Sequence, residues 1–368
     1  MDTTNTVSTR QFVALTLIIG LGLNMLNLPA LTVMTGGRDG WVSMLIIAAV
    51  DCLMLYLTLL FMQKFEVRSP KACKALRICV GIVGFLWATA KIMLILGEAR
   101  LFYGETVFEN LNWTIFLALL GALVAILGAG SGRALGRLCE LALPTVLASV
   151  AILLLMSYVG DVDMSDVLPI LYKNPEALKS PLKFAMWTGN YPVLFAFMGH
   201  VKIEKFTKLK CVIAAALSGL ASAALTFPLA ASYGAVKGLI SYGNNSSDMN
   251  QYVGSYNFGR VDLIIFTVWS IALLIECGIF MYAAVRSLSA VVGKQKPWLY
   301  SSITALAVYL LLNCVLTCNF KLYDFSVRFA VYGANIIQVL LPIAAVIALG
   351  ICMAVKRLKN RTKGENRQ

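Results

Sequence analysis

Gly20-Leu21-Gly22-Leu23-Asn24-Met25-Leu26-Asn27-Leu28-Pro29 lies inside an apolar run that reaches from Phe12 to Met34. Crossing a bilayer takes ~20 predominantly apolar residues, so the run has the length of a spanning helix. Two glycines, two asparagines and a proline nevertheless stand at its middle. Proline lacks an N–H and clashes with the preceding turn, and asparagine side chains can satisfy the backbone groups of an opened turn. The stretch therefore predicts a break in a membrane helix. Irregular backbone at that depth is tolerated only where it faces protein or a water-filled cavity, so the break also predicts an internal site.

Composition places the rest of the chain around that site. With 59% hydrophobic and 13% charged residues among 368, and a mean hydropathy of +0.79, the sequence carries more apolar surface than a water-soluble core can hold. It reads as an all-α integral membrane protein. The net charge of +13 does not indicate nucleic acid, because the basic residues lie between apolar spans and at the C-terminus, where topology accounts for them. Nine cysteines without a C-x-x-C pair, and a single histidine, His200, give no metal-site pattern. No cofactor and no catalytic motif is expected.

Ten spans are read: 12 to 35, 41 to 62, 78 to 104, 113 to 130, 138 to 159, 183 to 201, 211 to 235, 262 to 286, 298 to 318 and 329 to 355. With the N-terminus in the cytoplasm, 21 of the 31 lysines and arginines fall inside and eight fall outside, with Lys91 and Arg100 within the third span. The positive-inside rule then puts both termini in the cytoplasm. The chain is read as one polytopic domain, with a first half from about 12 to 159, a second from about 183 to 355 and a basic tail over 356 to 368. The two long outside segments, Gly160 to Leu182 and Val236 to Val261, are expected to be connecting loops with room for short surface helices or lids.

The sixth span repeats the signal of the first, with Trp187-Thr188-Gly189-Asn190-Tyr191-Pro192 inside an apolar segment. The first and sixth spans correspond if ten are split into five and five. Since five is odd, the second set enters the membrane inverted, the arrangement of a 5+5 inverted-repeat transporter whose paired broken helices meet near the midplane and form the substrate site.

Ser8-Thr9-Arg10-Gln11-Phe12 leading into Gly20-Leu21-Gly22 and Leu28-Pro29, then Gly40-Trp41-Val42-Ser43, Arg260-Val261-Asp262 ahead of Trp269, and Tyr282-Ala283-Ala284-Val285 make up a recognisable order. The chain resembles the permease-like B subunits of bacterial spore-germination receptors, of the amino acid–polyamine–organocation superfamily. The resemblance covers the whole length. It implies a leucine-transporter-like fold with broken first and sixth helices, and sensing of a small germinant, often an amino acid, in the inner membrane of a dormant spore. It also implies two partners, a lipoprotein subunit and a larger membrane-associated subunit. The alternative function is a proton- or sodium-coupled secondary transporter of an amino acid or amine, which needs the same pocket.

The expected ligand contacts are Gly20, Gly22, Asn24, Asn27, Gly189, Asn190 and Tyr191. Half-helix N-termini there would offer backbone N–H groups to a carboxylate, which points to an amino acid. Each polar side chain has a competing use in satisfying the broken backbone. Asp51, Lys91 and Glu276 fall at one depth in the second, third and eighth spans. Ionisable groups there cost ~3 kcal/mol to insert and normally face inward and pair. In the implied fold the third and eighth spans flank the broken helices, so Lys91 and Glu276 are the expected pair, with Asp51 the alternative partner. Glu98, seven residues after Lys91 on the same helical face, is a candidate access-path acid. A static pair that only fixes packing, and a pair that responds to ligand, are both open.

Overall fold

The computed structural model describes residues 6–66, 74–106, 112–159, 164–172, 174–183, 188–240, 261–318, 338–348 and 350–351. Among them the regular structure is helical: α1 (Thr9–Gly36), α2 (Gly40–Glu66), α3 (Lys74–Thr106), α4 (Trp113–Ala129), α5 (Gly132–Val159), the short α6 (Glu176–Lys183), α7 (Lys205–Ile240), α8 (Val261–Val292) and α9 (Pro297–Cys318). A further helix, α10, covers Gln338–Ala348. By length and composition, six described stretches can cross a membrane: Gly37–Lys64, Ile78–Gly97, Gly132–Tyr158, Lys205–Ala231, Thr267–Val292 and Pro297–Cys314. Leu86, Leu119, Leu141, Leu155 and Leu310 stand exposed on their outer faces. So broad an apolar surface suits lipid. The chain is an integral membrane protein.

The first to fifth and the seventh to ninth expected spans coincide with helices, the fourth ending one residue early. The tenth is described only from Gln338. One expectation narrows and one changes. The break in the first span falls at Gly22 alone (φ −46°, ψ −109°), with helix on both sides of the kink and Pro29 inside the continuing helix. One glycine with a non-helical ψ redirects the axis without opening a longer turn, and Thr32 donates its hydroxyl to the carbonyls of Leu28 (2.8 Å) and Pro29 (3.0 Å). The sixth span is not a long helix. Past the end of α6 the described backbone is irregular from Thr188 to Asn190, then forms tight 3₁₀ turns over Tyr191–Phe197. Gly189 and Gly199 take left-handed backbone angles (φ +66° and +83°). Pro192 stands in the first turn, where its missing N–H is tolerated, so the left-handed glycines on either side are what interrupt an α-helix here.

Helix α8 is the axis of the packing. In its apolar window 78% of residues are buried, against 22% for α5, so α8 is ringed by protein while α5 faces lipid. α3, α4, α5, α9 and α1 all lie against α8, and α1 and α2 both lie against α7. At the α4–α8 crossing a Cβ on Gly128 would stand 2.1 Å from Met281 Cγ, and one on Gly278 would stand 2.8 Å from Leu127 Cβ. Reciprocal glycines of this kind let two membrane helices approach closely.

The two ends of the bundle are tied differently. At one end Ser8 and Gln11 form a capping box, with Gln11 N–H donating to Ser8 Oγ (3.2 Å) and Ser8 N–H donating to Gln11 Oε1 (3.1 Å). This satisfies two of the donors that a helix start leaves bare. Val7 N–H donates to the His200 carbonyl (2.8 Å) and Arg10 meets Glu140 at 2.5 Å, joining α1 to the sixth segment and to α5. At the other end the buried Asp39 accepts from Leu171 N–H (2.8 Å) and from Asn174 Nδ2 (2.9 Å). Ser43 donates to the Ala177 carbonyl (2.6 Å). The segment read as a connecting loop is thus clasped, over its described part, to the corner between α1 and α2, and it contains the short helix α6. Val236 to Val261 lies largely outside the described residues.

Candidate functional site

Three helices reach into the irregular turn Thr188–Asn190. From α2, Asp51 accepts the N–H of Gly189 on Oδ1 (3.0 Å). From α3, Lys91 Nζ donates to the Thr188 carbonyl (2.9 Å) and to Asn190 Oδ1 (2.7 Å). From α8, Glu276 Oε1 accepts from Asn190 Nδ2 (3.1 Å). Lys91 and Glu276 are 1% and 0% exposed, so neither charge is relieved by solvent. Buried charges persist only when they are paired and hydrogen-bonded, and the amide of Asn190 does this for both, receiving from one and donating to the other.

Glycine makes the convergence sterically possible. A Cβ on Gly22 would lie 2.0 Å from Glu276 Oε2, so the kink in α1 is the space the carboxylate occupies. A Cβ on Gly189 would lie 2.3 Å from Gln338 Oε1 of α10, at a φ that L side chains rarely adopt. Gly20 packs on the contact between Tyr191 and Ser218, and a Cβ there would be 2.6 Å from the Tyr191 hydroxyl. That hydroxyl lies 3.4 Å from Ser218 Oγ of α7.

Of the residues singled out in the sequence, Gly22, Asp51, Lys91, Gly189, Asn190 and Glu276 meet at this turn. Gly20 and Tyr191 lie beside it, at the α1–α7 contact. The side chains of Asn24, Asn27 and Glu98 lie outside the described residues. Sequence reasoning passed over Thr188, whose carbonyl anchors Lys91, as well as Gln338 and Trp87. The Lys91 ammonium stands 5.8 Å from the centre of the Trp87 ring, and the spacing of four between them, one helical turn, was the available signal. Gln338 carried none.

Open space lies beyond Trp87, toward the end of the bundle that carries His200: a cavity of about 260 Å³ bounded by α2, α3, the Pro192–His200 segment, α8 and α10.

Helices ringing a buried, charge-lined turn make this a polytopic membrane protein. The model of the spore permease family, described as spore germination protein, matches residues 6–320. The chain belongs to this family. No curated protein matches it. Among solved structures it is similar to Mhp1, a nucleobase-cation-symport-1 family transporter in a closed conformation with bromovinylhydantoin bound. The identity is 13% and the TM-score 0.46, over 95% of this chain and 94% of that one.

Proposed function

We propose that this protein is the membrane subunit of a spore nutrient-germinant receptor, that its ligand is an amino acid, and that the ligand binds at the turn Thr188–Tyr191. Support comes from the charged groups that this turn holds. The Lys91 ammonium sits on a backbone carbonyl and an amide oxygen, and the Asp51 carboxylate sits on the adjacent backbone N–H. An amino acid carries the same two groups on one carbon. Its ammonium competes with Lys91 for Thr188 and Asn190, and its carboxylate competes with Asp51 for Gly189.

Displacing both side chains alters the contacts of α2, of α3 and, through Asn190, of α8. A ligand shifts an equilibrium only by its differential affinity for the two states, and exchange of internal for external charges supplies such a difference. Partner subunits, one lipoprotein and one larger membrane-associated chain, read the shift. The ten-helix inverted repeat, with both termini on the cytoplasmic face of the spore inner membrane, is part of the same proposal. The test is a dose–response of germination in spores carrying Asn190→Ala at normal membrane level. The half-maximal amino acid concentration is expected to rise at least about tenfold, the loss of one hydrogen bond to a charged group. An unchanged curve removes the turn from ligand binding. Flux of a labelled amino acid through proteoliposomes of the purified chain would favour the proton- or sodium-coupled transporter instead.

A further inference from the structure

The cavity beyond Trp87 has its own chemistry. Its wall is mostly apolar, with Trp87, Val193, Phe195 and Leu341 among its residues, and one fixed cation, Arg286 of α8, faces it. No carboxylate lines it among the described residues. Arg286 donates through Nε to the Tyr282 hydroxyl (3.0 Å), and its guanidinium carbon stands 5.2 Å from the centre of that ring. These contacts hold the guanidinium in place and leave its two terminal nitrogens for another acceptor. The indole N–H of Trp87, itself 5% exposed, also has no acceptor among the described residues.

We propose that this cavity is a second binding site, distinct from the charged turn, for a small amphipathic anion. The anion's carboxylate or phosphate pairs with Arg286 and its apolar body lies against Trp87 and Val193. Three features argue for it. A half-buried guanidinium without a carboxylate partner is costly in an apolar wall, and an anion offsets that cost. The planar fork of arginine matches carboxylate and phosphate in a bidentate way. A concave, largely apolar space with few polar groups is the usual build of a small-molecule site. Position gives the site a consequence, because its occupant touches Trp87 beneath Lys91 and Pro192 two residues after Asn190. The anion has two sources, a soluble carboxylate or a lipid headgroup.

The test uses the purified full chain in nanodiscs and reads tryptophan fluorescence, independently of germination. The soluble probe is 4-bromophenylacetate, whose bromine quenches an indole it touches, and the lipid probe is phosphatidylglycerol with brominated acyl chains. A saturable quenching component that disappears in Trp87→Phe is expected. Its half-saturating concentration should rise at least about tenfold in Arg286→Gln, as for loss of a charge-assisted hydrogen bond. Quenching by the lipid alone that still depends on Arg286 assigns the anion to a headgroup. Since Arg286→Gln also frees the Tyr282 hydroxyl, Ala290→Phe, which fills the cavity and keeps the cation, is the second variant and should abolish the saturable component. Quenching that never saturates, or that survives both Arg286→Gln and Ala290→Phe unchanged, overturns the proposal.

Discussion

Replacing Lys91 by methionine tests the charged turn most severely. The substitution keeps much of the apolar stem and removes an ammonium held at 2.9 Å by the Thr188 carbonyl and at 2.7 Å by Asn190 Oδ1. Glu276, fully buried, then keeps its bond from Asn190 Nδ2 but loses the cation linked to it through that amide. Breaking one side of a buried charge pair typically costs about 3–5 kcal/mol. That is a factor of roughly 150 to 4,000 in the folded-to-unfolded ratio, against a total stability of about 5–15 kcal/mol. Lys91→Met and Glu276→Gln are each expected to lower the amount of folded protein in the membrane sharply. The double substitution neutralises both groups and should cost less than the sum of the singles by about 2 kcal/mol or more, within the range of measured couplings between contacting residues. The assay is thermal unfolding of the three variants in one detergent, alongside their membrane levels. Single losses that add to within about 0.5 kcal/mol would refute the idea that Asn190 couples the two charges. A double variant restored in level but silent to ligand would separate a sensing role from a packing one.

Three further outcomes are expected. Gly22→Leu and Gly189→Leu, made separately, drive a side chain into Glu276 and Gln338 respectively, so both should abolish the ligand response, and normal responses at normal level would place the site elsewhere. Asp39→Ala removes the acceptor of the Leu171 N–H and of Asn174, so hydrogen exchange at Leu171 should speed up while α8 stays protected; unchanged exchange there removes Asp39 as the clasp. Gly128→Leu overpacks the α4–α8 crossing against Met281 and should cost about 1–3 kcal/mol in thermal unfolding, whereas a neutral result would mean the helices separate freely.

The helices that coincide with expected spans were legible because hydropathy and length report directly on lipid exposure. The glycine, asparagine and proline clusters correctly drew the eye to Gly22 and Gly189. Their extent was not legible: backbone propensity says that a helix is weakened, not that the break in α1 is confined to Gly22. The same limit applies to Asn190. An asparagine near a break reads equally as a ligand contact or as a backbone partner, and its place between Lys91 and Glu276 depends on the relative positions of three helices. Asp39 carried no signal in the sequence, because the partners that bury it, Leu171 and Asn174, lie more than 130 residues away. The cavity was invisible for a related reason, since its walls come from α2, α3, α8, α10 and the Pro192–His200 segment and no single stretch signals it.

The most direct test is the affinity of the purified chain in nanodiscs for each of the twenty amino acids, measured by titration calorimetry for the wild type and for a folded Asn190→Ala variant. At least one amino acid should bind the wild type saturably and bind Asn190→Ala at least about tenfold more weakly, since the variant loses a hydrogen bond to the ligand's ammonium. An amino acid that binds both proteins equally well would contradict the proposal that the turn Thr188–Tyr191 is where this protein meets its ligand.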